Sequence, residues 1–256
     1  MSVLLRLLAS LLGAALLLTQ PNTEALAQIQ AANKTIPVDL ELVLAVDVSR
    51  SIDSEEFELQ RQGYASALSN PKVLRAIQGG AIGAIALTYV EWSGVDQQRV
   101  IVPWTLVRSE DDFERVASDI LAAPRAFAAY TSISAAIDLA VELFRTSPYE
   151  GARQVIDISG DGANNSGRAV EVARDAALAE GIVINGLPIM NDRGNPFGRP
   201  EPKLDDYYRD FVIGGPGAFV VPAESFVTFS DAILAKLIRE ITSLPSDGTT
   251  QYAALP

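Results

Sequence analysis

The chain has 256 residues, no cysteine, no histidine and a formal net charge of −12. The missing cysteines exclude disulfides and thiolate chemistry, and the missing histidines exclude Ser-His-Asp and Cys-His catalysis together with the usual zinc ligand. Because the chain is so acidic and has only four lysines, we expect it to bind neither nucleic acid nor an anionic membrane surface.

The first residues have the character of an export signal. Arg6 precedes the apolar residues 7–18, and the Ala-Leu-Ala at residues 25–27 is a small-x-small cleavage site. The apolar stretch is shorter than the roughly 20 residues that span a bilayer, although an uncleaved N-terminal anchor is the alternative. We expect residues 1–27 to be a signal peptide, no membrane span to remain after cleavage, and the protein to be periplasmic or secreted.

Strand-like and helix-like segments alternate along the rest of the chain. This order predicts an α/β fold with a doubly wound, mostly parallel sheet and helices on both of its faces. The predicted strands are residues 38–46, 81–90, 99–105, 154–159, 182–187 and 218–221. The predicted helices are residues 53–68, 109–124, 131–144, 169–179, 205–211 and 226–241. We expect one domain over residues 38–242, with residues 243–256 as a flexible tail.

Local signals refine two of these elements. Asp53 and Glu56 have the spacing of a capping box, which predicts the start of the first helix. The pair Asn70-Pro71 predicts its end or a kink. Residues 99–105 follow the previous strand after a short turn and contain Pro103, so they predict an antiparallel strand at the sheet edge.

The most informative motif follows the first predicted strand. Alternate side chains of an extended stretch leave the backbone on the same side, so Asp47, Ser49 and Ser51 are expected to present one carboxylate and two hydroxyls to a common point. Such hard oxygen ligands suit Mg²⁺, Mn²⁺ or Ca²⁺. The alternative is a strand end followed by polar loop residues that cap the next helix.

Two distant residues extend this motif. Asp161 follows the strand at residues 154–159, and Thr131 begins a predicted helix. Ligand sites of open α/β sheets form beyond the carboxyl ends of the strands, near the point where the strand order reverses. Asp47 and Asp161 are expected at that edge on two different strands, with Thr131 approaching from a helix start.

The combined pattern resembles the metal-ion-dependent adhesion site of von Willebrand factor type A domains. In that family Asp-x-Ser-x-Ser is followed by a distant Thr and by a distant Asp in a Gly-Asp-Gly or Thr-Asp-Gly turn, as in Asp47, Ser49, Ser51, Thr131 and Asp161. The likeness extends over residues 38–241. Within this superfamily the chain resembles in particular a subgroup of exported bacterial proteins. The resemblance implies direct metal contacts from the three hydroxyls, with the two aspartates acting largely through water.

Five other residues have open interpretations. Tyr130 stands where relatives often have glycine, and it either contacts the partner or packs on the surface. Asp157 shares strand parity with Asp161, and it is either an acceptor behind the metal ligands or a buried carboxylate held by backbone donors. Asn164 and Asn165 either line the rim or serve turn chemistry. Asp192 lies in a loop that either recognises a partner or only connects elements.

The resemblance implies an exported, divalent-cation-dependent module of the adhesion type. It would bind Mg²⁺, or Mn²⁺ or Ca²⁺, and use the open coordination position to capture an exposed Asp or Glu of a protein partner. Such a module is not an enzyme. The alternatives are an inert scaffold that binds through other loops, and a metal-dependent hydrolase that uses the cation as a Lewis acid without an evident nucleophile or base.

Overall fold

The computed structural model describes residues 36–190, 203–226 and 228–243. Its strands are β1 (Ile36–Val38), β2 (Leu40–Asp47), β3 (Ile85–Trp92), β4 (Gln98–Val107), β5 (Tyr149–Gly151), β6 (Gln154–Gly160) and β7 (Val183–Pro188). Its helices are α1 (Ser54–Leu68), α2 (Pro71–Gln78), α3 (Glu110–Ala122), α4 (Ile133–Thr146), α5 (Val170–Ala179), α6 (Leu204–Tyr207) and α7 (Phe229–Thr242), with a π-helical turn at Tyr208–Val212 after α6.

The main sheet has five strands in the order β4-β3-β2-β6-β7. All neighbours are parallel except β3 and β4, which form the antiparallel pair at one edge. The predicted α/β fold and the antiparallel edge strand are confirmed. The strand order reverses at β2: β3 and β4 lie on one side of it, and β6 and β7, which come later in the chain, lie on the other. The carboxyl ends of β2 and β6 are therefore side by side.

Hydrophobic cores lie on both faces of the sheet. The even-numbered apolar residues of β2 pack with α1, α2, α3 and α7, and Val43 and Ala45 pack with α4, α5 and the π-helical turn. Because both faces are covered, every residue of β2 is buried, which is why its sequence is an almost continuous apolar run.

Helix boundaries follow the capping residues. Asp53 accepts the backbone N–H groups of Glu55 and Glu56 and forms the predicted capping box, so α1 begins at Ser54. Asn70 caps a further helix, α2, with Pro71 at its first position. The pair Asn70-Pro71 predicts the end of α1 or a kink; in the structure α1 ends just before this pair and a new helix begins, because Pro at a first helical position loses no hydrogen bond.

Three further assignments differ from the sequence prediction. A small two-stranded parallel sheet of β1 and β5 was not predicted. Residues 218–221 do not form a strand; Val220 pairs with Gly186 of β7 only in an isolated bridge, because Pro188, two residues further along β7, has no N–H with which to continue the ladder. The predicted helix at 205–211 is α6 followed by the π-helical turn.

Some predictions lie outside the described residues. These are the signal peptide at residues 1–27, the tail after residue 243, and the part of the irregular segment that contains Asp192. Among the helices that are described, none is both long enough and apolar enough to cross a membrane.

Candidate metal centre

Five oxygen-bearing side chains meet beyond the carboxyl ends of β2 and β6. Ser49 Oγ lies 3.0 Å from Ser51 Oγ and accepts a 3.3 Å hydrogen bond from Thr131 Oγ1. Ser51 Oγ donates to Asp161 Oδ1 at 2.6 Å. The backbone N–H of Ser49 donates to Asp47 Oδ1 at 2.7 Å. The structure therefore brings together all five residues that the sequence pattern selected, from two strand ends and one helix start.

Asp47 is the buried carboxylate of this cluster. It is completely buried, and its Oδ2 forms no hydrogen bond of normal geometry with any residue in the described ranges. Burial, and then the nearby charge of Asp161, raise the pKa of Asp47 to about 8, although N–H groups of Ser49 and Asp161 partly offset this rise. Without a compensating positive charge, the carboxyl of Asp47 is therefore mostly protonated at neutral pH.

These residues fit a divalent cation. Two carboxyl groups and three hydroxyls converge, and the buried Oδ2 of Asp47 lacks a donor, so a divalent cation would offset the cost of burying this carboxylate. Across residues 36–190, 203–226 and 228–243, no three side chains of Asp, Glu, His or Cys come together as a ligand group. The three hydroxyls would therefore take the place of the third carboxylate that other metal sites contain. Because hydroxyl ligands are neutral, the cation would keep positive charge for a partner.

Gly160 leaves space behind Asp47. A Cβ atom at this position would lie 2.9 Å from Asp47 Oδ2 and 2.9 Å from the hydroxyl of Tyr208. Tyr208 belongs to the π-helical turn and is fully buried, and burial together with the charges of Asp47 and Asp161 raises its pKa well above the usual value. Tyr208 therefore stays a neutral phenol beside the site. Tyr208 cannot be identified from the sequence alone, because no local pattern links it to β2.

The segment that carries Thr131 is fixed by hydrogen bonds from two sides. Ser93, just after β3, accepts the N–H of Ala129 at 2.8 Å and donates to the carbonyl of Tyr130 at 3.1 Å. On the other side, Asn165 Oδ1 accepts the N–H of Thr131 at 2.9 Å, and the N–H of Asn165 returns a 2.9 Å bond to the Thr131 carbonyl. Thr131 is thus presented on a fixed backbone.

Arg125 holds the loop that contains the serines. Its Nη2 donates to the carbonyls of Val48, Ser49 and Ile52 at distances of 3.0, 3.0 and 2.8 Å, respectively. Its guanidinium also lies 5.0 Å from the ring centroid of Phe57 in α1. Arg125 belongs to none of the sequence patterns described above, and no local pattern identifies it.

The candidates around the centre have distinct positions. Asn164 Oδ1 accepts the N–H of Ser134 at 3.1 Å, so both asparagines bind the start of α4 through their side chains. Tyr130 lies next to Thr131 with 72% of its surface exposed. The two asparagines therefore fix the backbone at the start of α4, whereas the ring of Tyr130 is open to solvent.

Asp157 has a partner that neither sequence interpretation included. Its Oδ1 lies 2.6 Å from Nζ of Lys236 in α7, and Lys236 also pairs with Glu240 one turn later. All three side chains are at most 1% exposed. Asn185 in β7 donates to Glu240 Oε1 at 3.0 Å. These four residues form a buried charge cluster between the sheet and α7.

The cluster contains two carboxyl groups and one ammonium group. Burial is the largest cause that raises the pKa of Asp157 to about 7, the charge of Glu240 adds to it, and Lys236 opposes it. Tyr64 of α1 is also near, since the charge of Asp157 contributes to its raised pKa, and its hydroxyl donates to Ser159 at 3.0 Å.

The fold, with this constellation at the sheet edge, is that of von Willebrand factor type A domains. Proximal thread matrix protein 1 from the mussel byssus is similar with a TM-score of 0.57 and 14% identity, over 81% of this chain and 48% of that protein. A further structure of it is described as having a zinc occupied MIDAS motif, and it matches with a TM-score of 0.56 and 14% identity, over 80% of this chain and 46% of that one. The pilus adhesin SpaC from Lactobacillus rhamnosus GG is similar with a TM-score of 0.58 and 13% identity, over 81% of this chain and 31% of the adhesin.

The chain belongs to the family described as Protein of unknown function (DUF1194), whose model matches residues 37–245. No curated protein matches it. The chain spans less than half the length of the byssus protein and of the adhesin. At these identities the solved structures show the fold alone.

Proposed function

We propose that this protein is an exported, non-enzymatic binding module that captures a carboxylate of a protein partner through a divalent cation. Asp47, Ser49, Ser51, Thr131 and Asp161 would hold the cation, which we propose to be Mg²⁺, with Mn²⁺ and Ca²⁺ as substitutes. The observation that carries the proposal is the buried Oδ2 of Asp47, which lacks a hydrogen-bond donor among the described residues at the point where three hydroxyls converge.

The chemistry of this residue set supports a role in binding. Neutral hydroxyls leave most of the cation's charge uncompensated, so an incoming Asp or Glu side chain is the natural occupant of an open coordination position. The zinc-occupied motif of the byssus protein and the pilus adhesin's role agree with this proposal. The sequence signal at residues 1–27 supports a periplasmic or secreted location.

Thermal unfolding with and without cation tests the metal centre. A ligand that binds only the native state adds RT ln(1 + [L]/Kd), or about 2.7 kcal/mol at a hundredfold excess over Kd. We expect millimolar Mg²⁺ added after chelator to raise the melting temperature of the wild type and of the control Asp119→Ala, whose side chain is exposed on α3. Asp47→Ala should show no cation-dependent shift.

The alternatives give different results in the same preparation. Partner capture that survives both chelator and Asp47→Ala would indicate a scaffold that binds through other loops. Turnover of p-nitrophenyl phosphate that requires cation and disappears in Asp47→Ala would indicate a hydrolase.

A further inference from the structure

We propose that Tyr130 is a specificity-determining residue, and that the partner presents an apolar side chain beside the acidic one that reaches the cation. Arg50 assists by attracting the acidic segment. This inference rests on the proposed function and adds the chemistry of the partner to it.

The exposure of Tyr130 is unusual for this chain. Its side chain is 72% exposed, the largest value among the exposed large apolar side chains of the described residues, whereas its neighbour Thr131 is 5% exposed. The described tyrosines at positions 64, 89, 149 and 208 are at most 8% exposed. An aromatic ring left in solvent next to a ligand site has a large apolar area to bury when a partner binds.

The backbone under this ring is rigid. Ser93 binds both Ala129 N–H and the Tyr130 carbonyl, and Asn165 binds both backbone groups of Thr131. Tyr130 therefore needs to fix only its two side-chain torsions when it contacts a partner, and such low ordering cost is why tyrosine is common at binding hot spots.

The apolar character continues to one side of Tyr130. The turn after β3 carries Val95, which is 44% exposed. This turn lies against the segment of Tyr130, since a Cβ at Gly94 would be 3.8 Å from Cβ of Ala129. Val95 thus adds exposed apolar surface beside Tyr130 that suits an aliphatic or aromatic side chain of the partner, next to the exposed carboxylate of Asp96.

Arg50 lies on the same rim, but its side chain is positively charged and not apolar. It stands between the two serines of the motif, its side chain is exposed, and its N–H donates to the Ala129 carbonyl at 2.9 Å. Its guanidinium forms no ion pair with any residue that the structure describes. In a chain of net charge −12, the positive charge of Arg50 beside the metal would favour the approach of an acidic segment and disfavour a basic one.

The first experiment selects peptides on the purified wild-type protein in Mg²⁺ from a random seven-residue library displayed on phage. We expect enriched peptides to contain Asp or Glu with an aromatic or aliphatic residue adjacent to it. Selection on Tyr130→Ala should retain the acidic residue and lose the apolar neighbour. Asp47→Ala should enrich neither.

The second experiment measures the binding kinetics of an enriched peptide. Tyr130→Ala should dissociate about tenfold faster, which corresponds to about 1.4 kcal/mol, while Tyr130→Phe keeps the wild-type rate because the contact is apolar. Arg50→Ala should instead slow association and weaken its salt dependence. Tyr130→Ala and Arg50→Ala should both bind Mn²⁺ as the wild type does.

Matched controls lie at the opposite end of the sheet. Ile82, which is 48% exposed, precedes the start of β3, and Arg108 follows the end of antiparallel β4. Ile82→Ala and Arg108→Ala should leave both rate constants unchanged.

The outcomes separate this inference from the proposed function. Wild-type enrichment of acidic peptides without an apolar neighbour, or an unchanged dissociation rate in Tyr130→Ala, would overturn the role of Tyr130 and leave carboxylate capture intact. If the wild type shows no Mg²⁺-dependent enrichment of acidic peptides, carboxylate capture fails and this inference fails with it.

Discussion

Replacing Asp157 with asparagine should change how the stability of the protein depends on pH. The carboxyl of Asp157 is buried with Lys236 and Glu240, and its pKa is raised to about 7. The folded protein therefore keeps a proton on Asp157 at pH values at which the unfolded chain has released it. The resulting stabilisation is fully present below pH 3.8 and is lost as the pH rises through about 7.

The size of the effect follows from the two pKa values of Asp157. The pKa of Asp157 is about 7 in the folded protein and 3.8 in its usual state. At 1.36 kcal/mol per pH unit, this difference corresponds to roughly 4 kcal/mol of the free energy of unfolding. Roughly 3 kcal/mol of this should disappear between pH 5 and pH 8. Asparagine has nearly the same shape and no charge, so Asp157→Asn should not show this loss.

Urea unfolding of both proteins between pH 5 and pH 8.5, at constant Mg²⁺, measures this difference. The wild type should lose stability relative to Asp157→Asn as the pH rises, and Asp47 does not affect the comparison because both proteins contain it. The control Asp138→Asn removes an exposed carboxylate that pairs with Arg168, and it should run parallel to the wild type. Parallel curves for the wild type and Asp157→Asn would refute the reasoning.

A second variant of the same cluster tests the role of the lysine. Lys236→Met keeps the length of the side chain but leaves the carboxyl groups of Asp157 and Glu240 buried without a cation. We expect a loss of about 3–5 kcal/mol in the free energy of unfolding, growing with pH. A loss below 1 kcal/mol at pH 8 would show that the ion pairs do not compensate these carboxylates.

Three further predictions concern the metal centre. Gly160→Ala should lower Mn²⁺ affinity and stability because its Cβ would lie 2.9 Å from Asp47 Oδ2. The control is Gly162→Ala, whose Cβ would come no closer than 3.7 Å to a neighbour. Calorimetric titration with Mn²⁺ should show the loss only in Gly160→Ala. Arg125→Ala should lower the melting temperature and Mn²⁺ affinity by loosening the serine loop, and Arg125→Lys should not restore them, since an ammonium cannot reproduce the planar donor group. Because the pKa of Asp47 without cation is about 8, Mn²⁺ affinity should rise about tenfold per pH unit from pH 6 to pH 7 and level off above pH 8; an affinity independent of pH over this range would contradict the burial argument.

The sequence pattern was sufficient where the physical cause is local. The apolar run of β2 indicated a buried strand, and the capping box of Asp53 and Glu56 indicated the start of α1. The alternating residues after β2 indicated which side chains share one direction. Two small elements were missed because three-residue strands such as β1 and β5 carry too few residues for a periodic pattern.

The sequence of the last helix contains a signal for a buried charged pair. Lys236 and Glu240 lie one turn apart on the same face of α7 as Phe229, Ile233 and Leu237, which are all buried. Charged residues on an apolar helix face predict a buried pair. The pattern did not indicate Asp157 as the third member, because this contact joins residues almost 80 positions apart.

The sequence by itself determined the order of the elements, the α/β class and the identity of the oxygen-bearing residues at the strand ends, because strand and helix periodicities and the alternation of side chains are properties of short segments. Only the tertiary structure decided which distant groups support the centre. Arg125 on the serine loop, Ser93 under the Thr131 segment and Tyr208 behind Asp47 act through contacts between elements far apart in the chain. Such contacts depend on how the sheet and helices pack, and no local repeat encodes them.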